Sequence, residues 1–166
     1  AQTFIGHSLG EYVAACLCGV FTLSQAIELV CLRGRLMAKM APGRMLAVQA
    51  DEHFLLPFCC TDVVIAARNS PASLVLAGPA PALEEVAERL QQQDVDCRWL
   101  KTSHAFHSPM MEPCLAEYGA ALDGMTLCPP TRPFISNLSG QWASPRDVCQ
   151  SGYWTAHLRH SVNFSQ

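Results

Sequence analysis

Gly6-His7-Ser8-Leu9-Gly10 is the stretch on which the reading of this chain turns. A Gly-x-Ser-x-Gly run marks a nucleophile elbow, in which a serine sits on a tight turn between a strand and a helix. Glycine has no Cβ, so the backbone can turn sharply and neighbouring elements can close in. The hydroxyl of Ser8 is thereby pushed out to where a substrate carbonyl can reach it. The backbone N–H of Leu9 falls at a helix N-terminus, where a free donor and the positive end of the dipole can stabilise an oxyanion. The flanks agree with this reading. Thr3-Phe4-Ile5 reads as a short buried strand, and Glu11 to Cys18 as a helix of small residues.

Working outward, 166 residues can bury a sizeable core, as one domain or one domain with a subdomain. Half of them are hydrophobic and 15% are charged, a globular composition and not a disordered one. A net charge of −3 supplies no basic face for phosphates, which argues against nucleic acid as a partner. No apolar run approaches the roughly 20 residues of a membrane helix. No signal peptide precedes the elbow, and the chain opens at Ala1 on the strand leading into it, as a segment of a longer polypeptide would. The nine cysteines lack C-x-x-C spacing. They read as small buried hydrophobes of a reduced, cytoplasmic protein, with no metal site expected.

Leu23 to Met40 carries a helical period, opened by a capping box of Thr22 and Gln25. Ala26, Val30, Met37 and Met40 fall on one stripe, and Arg33 falls in the middle of it. Glu28, Arg35 and Lys39 occupy the opposite, solvated face. A guanidinium pointing where apolar side chains point needs an anionic partner. An internal salt bridge and a socket for a substrate carboxylate are equally good readings of it.

Pro42-Gly43 ends that helix and the rhythm changes. Arg44–Gln49, Val63–Arg68, Leu74–Ala77 and Cys97–Lys101 read as strands, Glu52–Phe58 and Pro81–Gln93 as helices. The order β-α-β-β-α-β is that of a ferredoxin-like unit, with Asn69-Ser70-Pro71 as the break between the middle strands. Ser108 and Pro109 then form an N-cap and first position for a helix to about Leu122, disturbed early by Pro113. Phe134–Ser136 reads as a strand, Gly140–Ser144 as a turn, and Gly152–Arg159 as a short helix.

A serine needs a base to take its proton. Among the six histidines, His53 opens a surface helix and His7 sits on a turn that points it away. His104 and His107 flank a loop after a strand, where catalytic groups gather, and periodicity does not choose between them. His107 precedes the positive end of a helix, which favours its neutral form. His157 and His160 read as supporting residues. Asp62, Asp94, Asp96 and Asp123 all look like element ends or exposed positions, so no acid stands out for a triad. A serine–histidine dyad oriented by a backbone carbonyl fits that absence.

Gly6-His7-Ser8-Leu9-Gly10-Glu11, Arg33-Gly34-x-Leu36-Met37, Asn69-Ser70-Pro71 and His104-Ala105-Phe106-His107-Ser108 together resemble the malonyl-CoA:acyl-carrier-protein transacylases. The closer likeness is to acyltransferase domains of modular type I polyketide synthases. Tyr153-Trp154-x-x-His157-Leu158-Arg159-x-x-Val162-x-Phe164 looks like that family's closing signature. The resemblance implies an α/β fold: an α/β-hydrolase-like core, truncated at both ends, with an inserted ferredoxin-like subdomain. Residues 1–41 would form the elbow part of the core, 42–102 the insert, and 103–166 the return to the core with the catalytic histidine.

The resemblance also assigns roles. Ser8 would be acylated, His107 would be its general base, and Leu9 N–H would serve the oxyanion hole. Arg33 would hold the malonyl carboxylate, for which a planar fork suits better than lysine. His157 would supply the carbonyl that orients the imidazole. His104 and Phe106 would line the substrate site, Phe106 filling the space an α-methyl needs; one methyl is worth about 1–3 kcal/mol of discrimination. No cofactor or metal would be bound. Malonyl-CoA would be the donor, the phosphopantetheine thiol of an acyl carrier protein the acceptor, and neighbouring synthase domains the other partners. The family's Gly-Gln-Gly motif, source of the second oxyanion donor, does not occur ahead of the elbow, so the 166 residues alone are expected to be inactive or poorly folded. A serine esterase or thioesterase of the α/β-hydrolase type is the alternative, with a docking module bearing a relict elbow third.

Overall fold

Two periodicities in the sequence, one of 3.6 residues and one of 2, build a layer of helices and a sheet. The computed structural model describes residues 2–166; Ala1, where the first expected segment opens, lies outside the described residues. The helical layer comprises α1 (Leu9–Leu17), α2 (Leu23–Met37), α5 (Leu115–Asp123) and α6 (Ser151–Arg159). The sheet comprises β1 (Arg44–Val48), β2 (Val64–Ser70), β3 (Ser73–Gly78), β4 (Cys97–Trp99) and β5 (Val162–Asn163). Between its strands lie α3 (Glu52–Leu55) and α4 (Ala80–Gln91). The fold is mixed α/β.

The capping box forms as the sequence predicts. Thr22 Oγ1 accepts from Gln25 N–H, and the Gln25 side chain returns to Thr22 N–H. Helix α2 buries Ala26, Leu29, Arg33 and Leu36, and leaves Glu28, Arg35 and Lys39 exposed. It stops at Met37, short of Met40: Ala38 N–H still bonds Gly34 O, but Lys39 and Met40 tighten into i→i+3 turns ahead of Pro42-Gly43. Ser108 caps a 3-10 stretch, Pro109–Cys114, that contains Pro113 and leads into α5.

The sheet order is β4-β1-β3-β2-β5. The first four strands pair antiparallel, and β5 pairs parallel with β2 through Ala67–Val162 and Arg68–Asn163. Side chains alternate between two faces. Leu46, Val48, Leu74 and Leu76 pack on α4 through Leu83, Val86, Ala87 and Leu90. Met45, Val75 and Ala77 face the other way, with Ala105 and Val162. A register shift between Ile65 and Ala67 turns Ala67 onto this second face as well. Strand β2 runs on to Ser70, so the expected break moves to a two-residue loop, Pro71-Ala72, closed by the Ser70–Ser73 pair.

Two expected strands shrink. Phe4 makes a single parallel bridge to Phe134, and Ile135 a single antiparallel bridge to Trp142. Thr3 and Ile5, expected to be buried, are exposed. A strand persists only where successive residues find partners. Here Phe4 pairs through Phe4 N–H with Pro133 O and Ile135 N–H with Phe4 O, and the Ile135 bridge through Ser136 N–H with Gln141 O and Ala143 N–H with Phe134 O. The outer faces of α1 and α2 likewise expose Val13, Leu17, Leu23 and Ile27.

Candidate functional site

Ser8 immediately precedes α1, at φ 50° and ψ −109°. This is a conformation that residues with a Cβ rarely adopt, and it persists only where the surroundings fix it. Gly6 makes the turn possible, because a Cβ there would fall 2.1 Å from the carbonyl carbon and oxygen of Gly10. Gly10 has open space at the same test. Only the first glycine of the motif is sterically demanded. Asn137 spans the turn: its Oδ1 accepts Ser8 N–H at 2.6 Å, and its Nδ2 donates to Gly6 O at 2.8 Å.

His107, brought in from beyond β4, also has a left-handed backbone, at φ 57°. Its Nε2 lies 2.7 Å from Ser8 Oγ. Its Nδ1 lies 3.0 Å from the backbone oxygen of His160. A carbonyl only accepts, so Nδ1 carries the proton and Nε2 is left bare to accept the serine's. The imidazole is pushed down to about 3, by burial first and then by the charge of Arg33 and by His157. Burial is thus the first cause of its neutrality. The orienting carbonyl corrects the expectation for His157. Helix α6 ends at Arg159, and His160 leaves it in extended backbone (φ −94°, ψ 165°), which aims its carbonyl at the ring.

His157 is buried one turn earlier and does other work. Its Nε2 lies 3.2 Å from Glu11 Oε2, without the alignment of a hydrogen bond. Burial holds His157 below its ordinary pKa, against the opposing pull of Glu11. Its ring meets that of His107 edge-on, with centroids 6.1 Å apart.

Arg33 is 4% exposed. One Nη donates to Ser8 Oγ at 3.2 Å, and its Cζ lies 5.3 Å from the centre of the Tyr12 ring. Its Nε and other Nη have no hydrogen-bond partner. The internal salt bridge that would have explained a buried arginine is thus missing at those two nitrogens. Leu9, as first residue of α1, has an N–H with no intrahelical acceptor, beside the serine hydroxyl.

These groups share a cavity of about 500 Å³, between the elbow and α2 on one side and the second face of the sheet on the other. Ser8, Arg33 and His107 supply its chemistry; Leu9, Val30, Met37, Met45, Val75, Leu100 and Phe106 make its walls apolar. His7, expected to point away, lines the mouth and hydrogen-bonds Asn69 Oδ1 at 2.8 Å. His104 does not line the cavity, contrary to expectation. Its ring nitrogens are held by Ser103 Oγ at 2.8 Å and Met40 O at 3.2 Å, and it packs behind Phe106.

Sequence reasoning missed Glu11 and Asn137 as parts of this site, and read His160 only as a supporting residue without its carbonyl's role. Glu11 is fully buried; it accepts Asn137 N–H at 2.7 Å and the Tyr153 hydroxyl. It shares a helical stripe with Ala15 and Cys18, both buried, so its position carried a signal. Asn137 and His160 lie outside helices and strands, where no periodicity speaks. No group of three or more metal-ligating side chains occurs among the described residues, nor any helix long and apolar enough to cross a membrane.

Comparison with known proteins agrees with this geometry. The family model described as "Acyl transferase domain" matches residues 1–166. The chain is 43% identical over 162 residues to mycoketide-CoA synthase of Mycobacterium tuberculosis, covering 97% of this chain and 4% of that protein. It is 40% identical over 164 residues to the spectinabilin polyketide synthase system protein NorB of Streptomyces orinoci, covering 96% of this chain and 8% of that one. The chain thus spans less than a tenth of the length of either relative. Among solved structures, the acyl transferase domain of SpnD in complex with 2-(pent-4-yn-1-yl)malonyl superposes with a TM-score of 0.94 at 36% identity, over 98% of this chain and 40% of that chain. FabD from Acinetobacter baumannii gives 0.90 at 28% identity, over 98% and 55%.

Proposed function

Because the chain belongs to the acyl transferase domain family, we propose that it transfers a malonyl group from malonyl-CoA, through an ester on Ser8, to the phosphopantetheine thiol of an acyl carrier protein in polyketide assembly. The observation that carries this reading is Arg33. A buried guanidinium with two unpartnered nitrogens, 3.2 Å from the nucleophile, is a socket for a carboxylate. Of the thioesters such a site could meet, one with a free carboxylate two carbons from the reacting carbonyl satisfies both groups together.

The chemistry follows from the dyad. Ser8 Oγ attacks the thioester carbon as its proton passes to His107 Nε2. The resulting oxyanion rests on Leu9 N–H. The C–S bond breaks, and the coenzyme A thiolate leaves with the proton from His107. The carrier's thiol then attacks the malonyl-serine, giving its proton to His107, which returns it to Ser8. Apolar walls limit the water that could intercept the ester. His160 holds the imidazole in the tautomer that both half-reactions need.

Phe106, backed by His104, favours malonyl over α-substituted malonyl units. The SpnD domain binds a malonyl with a long substituent, so it is the placement of Phe106, and not cavity volume alone, on which this selectivity rests. In the same reading, residues 42–102 are a ferredoxin-like insert in an α/β-hydrolase-like core made of 1–41 and 103–166. The strand order β4-β1-β3-β2 supports that division.

The test is competition. The natural polypeptide carrying this chain is mixed with equimolar malonyl-, methylmalonyl- and acetyl-CoA, and the Ser8 adduct is identified by mass spectrometry. Malonyl should dominate. An adduct population in which acetyl equals malonyl would exclude the carboxylate socket and favour an esterase or thioesterase.

A further inference from the structure

We propose that Asn137 is a positioning residue for the nucleophile: its carboxamide spans the elbow and holds Ser8 in its attacking conformation, while Glu11 fixes Asn137. This rests on the reading of Ser8 as the acylated residue. Asn137 is 1% exposed and lines no part of the cavity. Its two amide atoms grip the two residues flanking His7, one as acceptor from Ser8 N–H and one as donor to Gly6 O. A carboxamide presents an acceptor and a donor side by side, which a carboxylate or a hydroxyl does not.

The clamp is itself clamped. Asn137 N–H donates to Glu11 Oε2 at 2.7 Å, and Asn137 O accepts Asn163 N–H at 2.7 Å. Glu11 lies three residues after Ser8, so the elbow, the first turn of α1 and the 136–137 loop close into one hydrogen-bonded ring. Its second oxygen accepts the Tyr153 hydroxyl, which burial and the neighbouring carboxylate keep protonated. At φ 50°, Ser8 stays in place only while such contacts hold it. A turn relaxed by a fraction of an ångström would draw Oγ away from His107 Nε2. Loss of Asn137 should therefore slow the chemical step and leave acyl-CoA binding alone.

The experiment is rapid-quench mass spectrometry of Ser8 acylation by malonyl-CoA, in the natural polypeptide that carries this chain. It reads the limiting rate constant, the half-saturating concentration and the burst amplitude. Asn137→Ala should lower the rate constant by about 10- to 100-fold. The half-saturating concentration should stay within about twofold, and the amplitude should track the folded fraction measured by circular dichroism. Asn137→Asp keeps the acceptor for Ser8 N–H but sets an oxygen against Gly6 O. It should lose a comparable factor, and it decides the matter if the alanine variant does not fold. A loss confined to amplitude, or an unchanged rate constant in a folded variant, overturns the inference. Absence of any Ser8 adduct in the wild type would overturn the underlying reading as well.

Discussion

Arg33 and His107 face the same cavity, and the charge of Arg33 adds to burial in lowering the basicity of His107. Burial and Arg33 together hold the His107 imidazole down at about 3 in the free protein. A malonyl carboxylate seated on Arg33 would offset the second of these and raise the pKa again. The acid limb of kcat, which reports the bound complex, should thus lie at higher pH than that of kcat/KM. With acetyl-CoA the two limbs should coincide. Both are read from pH–rate profiles of acylation. Removing the fork by Arg33→Ala should cost malonyl transfer roughly 100-fold, about 3 kcal/mol, and acetyl transfer far less, as steady-state kinetics would show. The depressed His107 also bears on stability. Unfolding restores its ordinary pKa of about 6.5, so between that value and about 3 the unfolded chain binds the extra proton. Stability should be fully present above pH 6.5 and fall as the pH drops through this window, which denaturant midpoints at pH 7 and pH 5 would measure.

At the scale of elements, the two glycines of the elbow divide. Gly6→Ala drives a Cβ into the backbone of Gly10 and should prevent the turn from forming. Gly10→Ala meets open space inside α1 and should raise stability by up to about 1 kcal/mol. Thermal melts of the pair separate the two. Motif reading treats these glycines alike; only packing tells them apart. The same limit explains the histidines near the end of α6. Periodicity placed the helix to within a residue, but which carbonyl faces His107 depends on where the backbone departs from helical angles. Arg33, by contrast, was legible because a charged residue breaks an otherwise apolar stripe. The β-α-β-β-α-β order was legible because its hydrophobic period changes at Pro42-Gly43. The Thr3–Ile5 and Phe134–Ser136 strands were over-read, since β-rich composition says nothing about how many partners a strand will find.

Across the whole molecule, Arg68 ties the sheet to the end of the chain. It forms a two-pronged pair with Glu52 at 2.5 and 2.7 Å, and donates to Asn163 Oδ1 at 3.1 Å. Each partner shifts the other, Glu52 downward and Arg68 upward. The pair is partly exposed, so Arg68→Ala should cost only about 1–2 kcal/mol. A fall of several degrees in melting temperature would register it.

The cavity walls come from the elbow, α2, the sheet and the loop carrying His107, stretches that span most of the polypeptide. A species lacking either the helical layer or the sheet would lack one wall. Titrated with urea, the competence to esterify Ser8 should therefore vanish in step with circular dichroism, one sigmoid overlying the other, so that turnover itself serves as a gauge of cooperativity.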